Sequence, residues 1–187
     1  MHMRTAISIL TFALAVTGVS VAAQQPAGSA QPIAAGLKSQ WDGAKRNIQE
    51  SAKLMTDFAF RPPTEKSPDG NQVRTFGQIL AHLAGANYVI CGAARGEKAP
   101  YAEDHFEKSA TTKDAIVQAL DGSLKYCDAA FNATDARLGE VVDMPFGLGK
   151  SARAGVLVMN IGHMNEHYGN LVTYFRIKGI VPPSSRR

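Results

Sequence analysis

Apolar residues recur at three- and four-residue steps in four segments of about 20 residues each, and this repeat constrains the fold more than any other feature. In the first segment, residues 33–58, the repeat consists of Leu37, Trp41, Ala44, Ile48, Ala52 and Met55. Three later segments have the same spacing, and none of the sequence carries a strong strand pattern. Four amphipathic helices of this length predict an all-α fold, namely a four-helix bundle.

Capping residues indicate where the second and third helices begin. Thr75 and Gln78 have the spacing of a capping box and are expected to open the second helix, which should end near Gly96. Thr111 with Asp114 resembles a start signal for the third helix. The sequence therefore predicts two consecutive helices separated by a polar segment.

The connecting segments are expected to be irregular. Residues 96–110 are polar and predict a loop, while residues 138–150 alternate weakly around proline and glycine and predict a hairpin-like connection. Ser151 is the expected cap of the last helix, and Gly179 stands where a left-handed residue ends a helix. The last helix is thus predicted to be the longest.

The N-terminus has the order of a secretory signal peptide. A basic segment ends at Arg4, an uncharged apolar run covers residues 6–16, and small residues lead to Ala23. Cleavage after Ala23 would make residues 1–23 the signal peptide. The alternative is a retained membrane anchor, which is disfavoured because the apolar run is shorter than the roughly 20 residues that a bilayer requires.

The remaining chain has the length of one domain. Residues 24–32 are small, polar and proline-bearing and predict a flexible leader, which leaves residues 33–184 as the folded domain. Basic residues are scattered apart from the terminal pair 186–187, which argues against a nucleic-acid partner. We expect a periplasmic or secreted protein without stable membrane insertion after cleavage.

Two cysteines, Cys91 and Cys127, lie in the predicted second and third helices. In an oxidising compartment such a pair often forms a disulfide. The alternative is two buried free thiols that behave as small apolar residues. Of the two, the disulfide is favoured.

Three histidines carry the predicted chemistry. His163 and His167 are four residues apart in the last helix, so their rings lie on one face and one turn apart. His82 lies midway along the second helix on the side of Ile79, and is expected to face the interior. Three imidazoles fill three positions of a tetrahedral or octahedral metal site and leave the rest open. His105, in the polar segment, is expected to lie outside this site.

Two alternatives to a metal site of this kind remain. Each histidine could be an ordinary core or surface residue. The stretch from His163 to His167 also spells H-x-x-E-H, a zinc-protease motif in which Glu166 would be the base. That reading is disfavoured, because no Asp or Glu follows His167 to supply the downstream ligand.

Buried imidazoles need partners for their second nitrogens, because an unpaired polar group is costly in an apolar interior. Asn160 and Asn170 stand three residues before His163 and three after His167, respectively, near the histidine face of the helix. We expect either to contact the imidazoles or a substrate. The alternative is an asparagine solvated at the rim of the bundle.

Three stretches carry a resemblance to a known family: TFGQILAHLAGANYVICGAARGE, YCDAAF and NIGHMNEHYGNLVTYFRIKGIVPPS. The chain resembles the DinB family, also called DinB/YfiT-like, over residues 33–184. The resemblance implies an up-down-down-up four-helix bundle, frequent homodimers and a three-histidine site for zinc, nickel or a similar divalent cation. Those ligands carry over onto His82, His163 and His167.

The resemblance does not imply a single reaction. Relatives include thiol-dependent S-transferases and a thiol-dependent isomerase, in which the metal would stabilise a thiolate. Such thiols are kept in the cytoplasm, so export favours hydrolysis or a binding role instead. We expect an exported metal-binding protein that is a metal-dependent transferase or hydrolase acting on an unidentified small molecule. The alternative is a non-catalytic helical metal-binding or interaction module.

Overall fold

The computed structural model describes residues 31–64, 66, 68 and 70–186. The predicted signal peptide, residues 1–23, lies outside the described residues, as does most of the predicted leader. The described part of the chain is mostly helical, in agreement with the all-α prediction. None of its helices is long and apolar enough to cross a membrane.

Six α-helices and one small antiparallel hairpin make up the regular structure of the described residues. In chain order they are α1 (Pro32–Leu54), α2 (Phe76–Arg95), α3 (His105–Ser109), α4 (Lys113–Phe131), α5 (Asp135–Leu138), β1 (Val141–Asp143), β2 (Lys150–Ala152) and α6 (Arg153–Ile177). Short 3₁₀ turns occupy Pro145–Gly147 and Pro183–Ser185.

Helix α2 is the central element of the core. It packs against both α4 and α6, and α1 packs against the same two helices. Most residues of α2 are buried, and many of them are alanine or glycine, which allows neighbouring backbones to approach closely. Aromatic pairs fill the space between the helices: Trp41 stacks on Phe131 with ring centroids 4.6 Å apart, and Phe76 meets Phe175 edge to face at 5.4 Å. One continuous apolar core results.

The predicted ends of α2 are confirmed. The Thr75 hydroxyl accepts a hydrogen bond from the Gln78 backbone N–H at 3.1 Å, and the Gln78 side chain accepts one from the Thr75 N–H at 2.8 Å. Gly96 ends the helix in the left-handed conformation, with φ of 74°. Gly179 follows α6 with φ of 70°, as predicted. Local capping chemistry therefore sets these boundaries.

The first helix ends earlier than predicted, at Leu54 and not at Phe58. Phe58 and Phe60 lie in the following non-helical segment, Phe58 in a turn. Their carbonyl oxygens accept hydrogen bonds from the backbone N–H groups of Gly77 and Phe76, each at 2.8 Å. The first N–H groups of a helix have no partner within it. The two carbonyl groups that follow α1 accept hydrogen bonds from these N–H groups of α2. This long-range contact requires a non-helical backbone where the local periodicity predicts helix.

Two helix starts also differ from the prediction. Thr112, and not Thr111, caps α4 through its side chain. Ser151 does not cap α6, because it pairs with Val142 in the hairpin, and the helix begins at Arg153. The predicted hairpin-like connection is confirmed.

The polar segment predicted as a loop contains the short helix α3. The residues before α3 pack against α2 where two glycines, Gly85 and Gly92, lie on one face of that helix. A Cβ atom on Gly85 would lie 1.8 Å from the Glu103 carbonyl oxygen, and one on Gly92 would lie 3.3 Å from the Ala99 Cα. Only glycine permits the first approach. The segment therefore packs on α2 and is not a free surface loop.

The predicted disulfide between Cys91 and Cys127 is present. It joins α2 to α4, with the two Cα atoms 5.3 Å apart and both side chains fully buried. No other cysteine occurs in the sequence, so the described chain holds no free thiol.

Candidate metal centre

The structure brings together the three predicted histidines. His82 comes from the middle of α2, while His163 and His167 project from successive turns of α6. One ring nitrogen of each lies within 4.8 Å of the others. The His163 Nε2 is 3.2 Å from the His82 Nε2 and 3.2 Å from the His167 Nε2.

This spacing fits a shared metal ion. Tetrahedral coordination with bonds of about 2.0–2.1 Å places neighbouring ligand nitrogens about 3.3–3.4 Å apart. Without a cation, three neutral imidazoles cannot form both of these contacts as hydrogen bonds unless the protons alternate, because each Nε2 offers either one proton or one lone pair. A cation between the rings accepts all three lone pairs, so the donor set matches a divalent metal that prefers nitrogen ligands.

The second ring nitrogen of His82 contacts Glu107, a residue of α3. The His82 Nδ1 lies 3.0 Å from the Glu107 Oε1. An ionised carboxylate only accepts hydrogen bonds, so this contact favours the His82 tautomer that is protonated on Nδ1. The Arg74 Nη2 lies 3.4 Å from the same Nδ1, a longer contact than that of the carboxylate. Arg74 pairs with the same carboxylate, with its Nε 2.9 Å from the Glu107 Oε2. Sequence reasoning missed both residues. Glu107 lies in a segment that the sequence predicts as a loop, and Arg74, immediately before the capping box of α2, belongs to no motif.

The other two imidazoles lack such partners. Within the described residues, the Nδ1 atoms of His163 and His167 are buried and have no hydrogen-bond partner. Asn160 does not serve them, contrary to prediction: it is fully buried, and its Nδ2 donates to the Asn87 Oδ1 at 3.0 Å. For Asn160, the alternative of an asparagine solvated at the rim is wrong for the same reason, whereas Asn170 is exposed. The amide pair connects α6 to α2 in the core.

Burial keeps the histidines neutral. Loss of hydration, and next the neighbouring His167, lower the pKa of His163 from 6.5 to about 4. Loss of hydration and then His82 lower the pKa of His167 to about 4. Burial and then the Arg74 charge also lower the pKa of His82. Neutral imidazoles are the form that donates a lone pair to a metal.

A cavity of 560 Å³ opens beside the histidines. Its walls combine amide, guanidinium, phenol and imidazole groups: Asn71, Gln72, Val73, Arg74, Ile79, His167, Asn170 and Tyr174. The Tyr174 hydroxyl donates to the Arg74 carbonyl oxygen at 2.6 Å and so holds one wall against α6. Asn170, one of the two predicted partners, lies here and not beside an Nδ1. A small polar molecule in this cavity would reach His167.

The remaining candidates lie apart from the cluster. Glu166 is exposed, as expected for a residue turned away from the histidine pair. His105 stacks on Tyr101, with ring centroids 4.8 Å apart, and is not among the three clustered histidines. The Glu103 Oε1 is 3.8 Å from the His82 Nε2, and its side chain is 41% exposed. Among the described residues, the cluster contains three imidazoles and no fourth His, Cys, Asp or Glu.

Comparisons with known proteins identify the family of this chain. A family model described as the DinB superfamily matches residues 24–171, well over half of the chain. The chain belongs to the DinB superfamily. Its fold is similar to the crystal structure of a DinB-like protein from Bacillus cereus, with a TM-score of 0.58 and 20% sequence identity over 80% of this chain and 95% of that chain. This identity is low, so the likeness supports a DinB-like fold alone. A search of curated proteins found no match.

The lowered histidine pKa values of this DinB domain predict a pH-dependent stability in the absence of metal. Above pH 6.5 the rings are neutral in both states. Between pH 6.5 and about 4 the rings are protonated in the unfolded chain but remain neutral in the folded chain. The free energy of unfolding therefore decreases as the pH is lowered through this window. Two independent rings would lose at most about 7 kcal/mol across this window. Both rings keep partial contact with solvent, so we expect a loss on the order of 2–4 kcal/mol, measured by urea unfolding in a chelator.

Other groups titrate in the same window, so the control is the variant His163→Gln with His167→Gln. It lacks two of the three imidazoles whose pKa values are lowered, so its stability should depend less steeply on pH. Equal slopes for the two proteins between pH 6.5 and 4 would contradict the prediction.

Proposed function

We propose that this DinB-superfamily protein is an exported metal-dependent enzyme, a transferase or a hydrolase. One divalent ion, zinc or nickel, is held by His82, His163 and His167, and a small polar substrate occupies the adjacent cavity. The observation that carries the proposal is the convergence of three Nε2 atoms, two pairs of them 3.2 Å apart, beside a cavity that reaches His167.

The donor set suits this chemistry. Imidazole nitrogen binds zinc and nickel well. A divalent ion on three imidazoles retains an open coordination position and acts there as a Lewis acid. In the described residues no fourth ligand closes the cluster, which favours an enzyme over a storage or structural site.

The residues of the cavity would orient the substrate. Asn170 offers both a donor and an acceptor, and Arg74 offers guanidinium N–H groups beyond those paired with Glu107. The Tyr174 hydroxyl is committed to the Arg74 backbone and keeps that segment in place. The mixture of amide and cationic groups suits a polar or anionic small molecule.

The finer architecture and the location of the protein belong to the same proposal. The packing of α2 and α1 against α4 and α6 supports an up-down-down-up four-helix bundle. The disulfide between Cys91 and Cys127 supports export, because disulfides persist in oxidising compartments. Export would follow cleavage after Ala23, and the mature protein would form a homodimer and bind no nucleic acid.

Elemental analysis of the exported protein, purified without an affinity tag, tests the proposal first. We expect about one zinc or nickel ion per chain for a single three-histidine site. Thiol-transfer and hydrolase screens with the same metal restored then test for turnover. A protein that takes up neither metal would overturn the proposal, and bound metal without turnover in either screen would favour a non-catalytic module.

The variant His82→Ala separates a catalytic site from a structural one. It should abolish turnover while the circular dichroism spectrum remains nearly unchanged, because the apolar core does not depend on the metal. Unfolding of this variant would mean that the histidine cluster is structural.

A further inference from the structure

We propose that Glu107 is a positioning residue of the metal centre. Its carboxylate, held by Arg74, keeps the proton of His82 on Nδ1, so that Nε2 always presents its lone pair to the ion. This inference rests on the proposed metal site, and it assigns a role to α3, which lies outside the four long helices.

The contacts restrain the carboxylate on both oxygens. The Glu107 Oε1 lies 3.0 Å from the His82 Nδ1 and 3.2 Å from the Arg74 Nη2, and its Oε2 lies 2.9 Å from the Arg74 Nε. The guanidinium and the carboxylate thus form a bidentate ion pair, which restricts the rotation of both groups. The Glu107 side chain is 19% exposed and the His82 side chain 8%, so water competes little for the imidazole.

His82 alone among the three rings receives this support within the described part of the chain. The Nδ1 atoms of His163 and His167 have no partner there. A neutral imidazole exists in two tautomers, and only the one protonated on Nδ1 leaves Nε2 free to bind metal. Metal-binding histidines commonly donate their other N–H to a carboxylate, which fixes the ring and raises its basicity. Glu107 does this for His82.

The packing of the chain before α3 explains how Glu107 reaches the site. Gly85 lies three residues after His82, so both lie on neighbouring positions of one face of α2. The Glu103 carbonyl approaches Gly85 so closely that a Cβ atom there would lie 1.8 Å away. This contact presses the segment onto α2 next to His82, and α3 begins two residues later. Gly85 therefore sets the position from which Glu107 contacts the imidazole.

Glu103 is the other carboxylate near His82, and it does not have the same role. Its Oε1 is 3.8 Å from the His82 Nε2, which is too long for a hydrogen bond. It also lies on the side of the metal-facing nitrogen and not of Nδ1. The Asp104 side chain is more exposed than that of Glu103, and its carboxylate pairs with Lys108. Asp104 therefore supplies a matched carboxylate control from the same segment.

The tautomer can be measured without metal. In two-bond ¹H–¹⁵N correlation spectra of the metal-free protein above pH 7, His82 should give the pattern of a single Nδ1–H tautomer. Glu107→Ala should give a mixture of tautomers, while Glu107→Gln, whose amide oxygen still accepts from Nδ1, should restore much of the Nδ1–H form. Asp104→Asn should match the wild type. The same Nδ1–H pattern in Glu107→Ala would overturn the inference.

Metal affinity gives the second readout, by competition of Zn²⁺ with a chromophoric chelator. Glu107→Ala should bind about 10–100-fold more weakly than the wild type, the usual cost of losing such a partner. Asp104→Asn should bind as tightly as the wild type. Equal affinities for wild type and Glu107→Ala would overturn the inference. A wild-type protein that binds no metal would instead refute the proposed function, and the tautomer would still test Glu107.

Gly85→Ala tests the packing step separately. Alanine favours the helix by itself, so a loss of Zn²⁺ affinity would arise from displacement of the segment that carries Glu107. We expect a loss similar to that of Glu107→Ala, with helix content retained. Gly43→Ala in α1 is the control, because a Cβ atom there meets nothing within 4 Å. Unchanged affinity in Gly85→Ala would show that Glu107 does not depend on this contact, and would overturn that part of the inference.

Discussion

Replacing His163 with alanine should lower the affinity for Zn²⁺ at least about 100-fold, because the ion would lose one of its three proposed ligands. The Nε2 of His163 lies 3.2 Å from those of both His82 and His167, so it is the shared member of the cluster. A structural zinc ion bound by four ligands contributes on the order of 10–16 kcal/mol, or about 3 kcal/mol per ligand. The measurement is chelator competition at pH 7 on tag-free protein.

His105→Ala is the matched control for this prediction. It removes an imidazole that stacks on Tyr101 and is not one of the three clustered histidines. Its Zn²⁺ affinity should equal that of the wild type. If His163→Ala also binds Zn²⁺ as tightly as this control, the metal does not bind at the histidine cluster.

Removing the disulfide should have the largest effect on stability. The bond between Cys91 and Cys127 closes a loop with a sequence separation of 36 residues. Cross-linking a loop of this size lowers the entropy of the unfolded chain and contributes about 4 kcal/mol in the chain-entropy model. The variant Cys91→Ala with Cys127→Ala should therefore lose about this much free energy of unfolding, and its Tm should fall by roughly 10 °C.

Reduction provides the control for the same prediction. Dithiothreitol should destabilise the wild type by a similar amount and leave the double variant unchanged. Denatured, unreduced wild type should contain no titratable thiol. Two free thiols, or identical unfolding curves for wild type and double variant, would contradict the prediction.

The two effects should be independent. Cys91 follows His82 by nine residues on α2, and the disulfide connects α2 to α4, whereas the histidines connect α2 to α6. Mutations at separate sites without shared partners usually have additive effects. We therefore expect the disulfide variant to retain its metal affinity while it remains folded, and His163→Ala to retain its disulfide.

The sequence by itself determined the features that depend on local spacing. Helical periodicity placed four long helices, and capping chemistry set both ends of α2, because these effects act within one or two turns. A four-residue step is enough to place His163 and His167 on one face of a helix. His82 could be paired with them because its position among apolar residues indicated an inward-facing side chain. Cys91 and Cys127 could be paired because both lie in predicted helices of a chain expected in an oxidising compartment.

Only the tertiary structure decided the features that depend on contacts between distant residues. Helix α1 ends at Leu54 because carbonyl groups of the next segment accept hydrogen bonds from the first N–H groups of α2. No local sequence pattern indicates these bonds. Asn160 pairs with Asn87 across two helices, although helical spacing placed it near the histidines. Glu107 contacts His82 across 25 residues because the intervening segment packs on Gly85. Periodicity reports which side of a helix faces inward, whereas the identity of the facing partner depends on how separate elements pack.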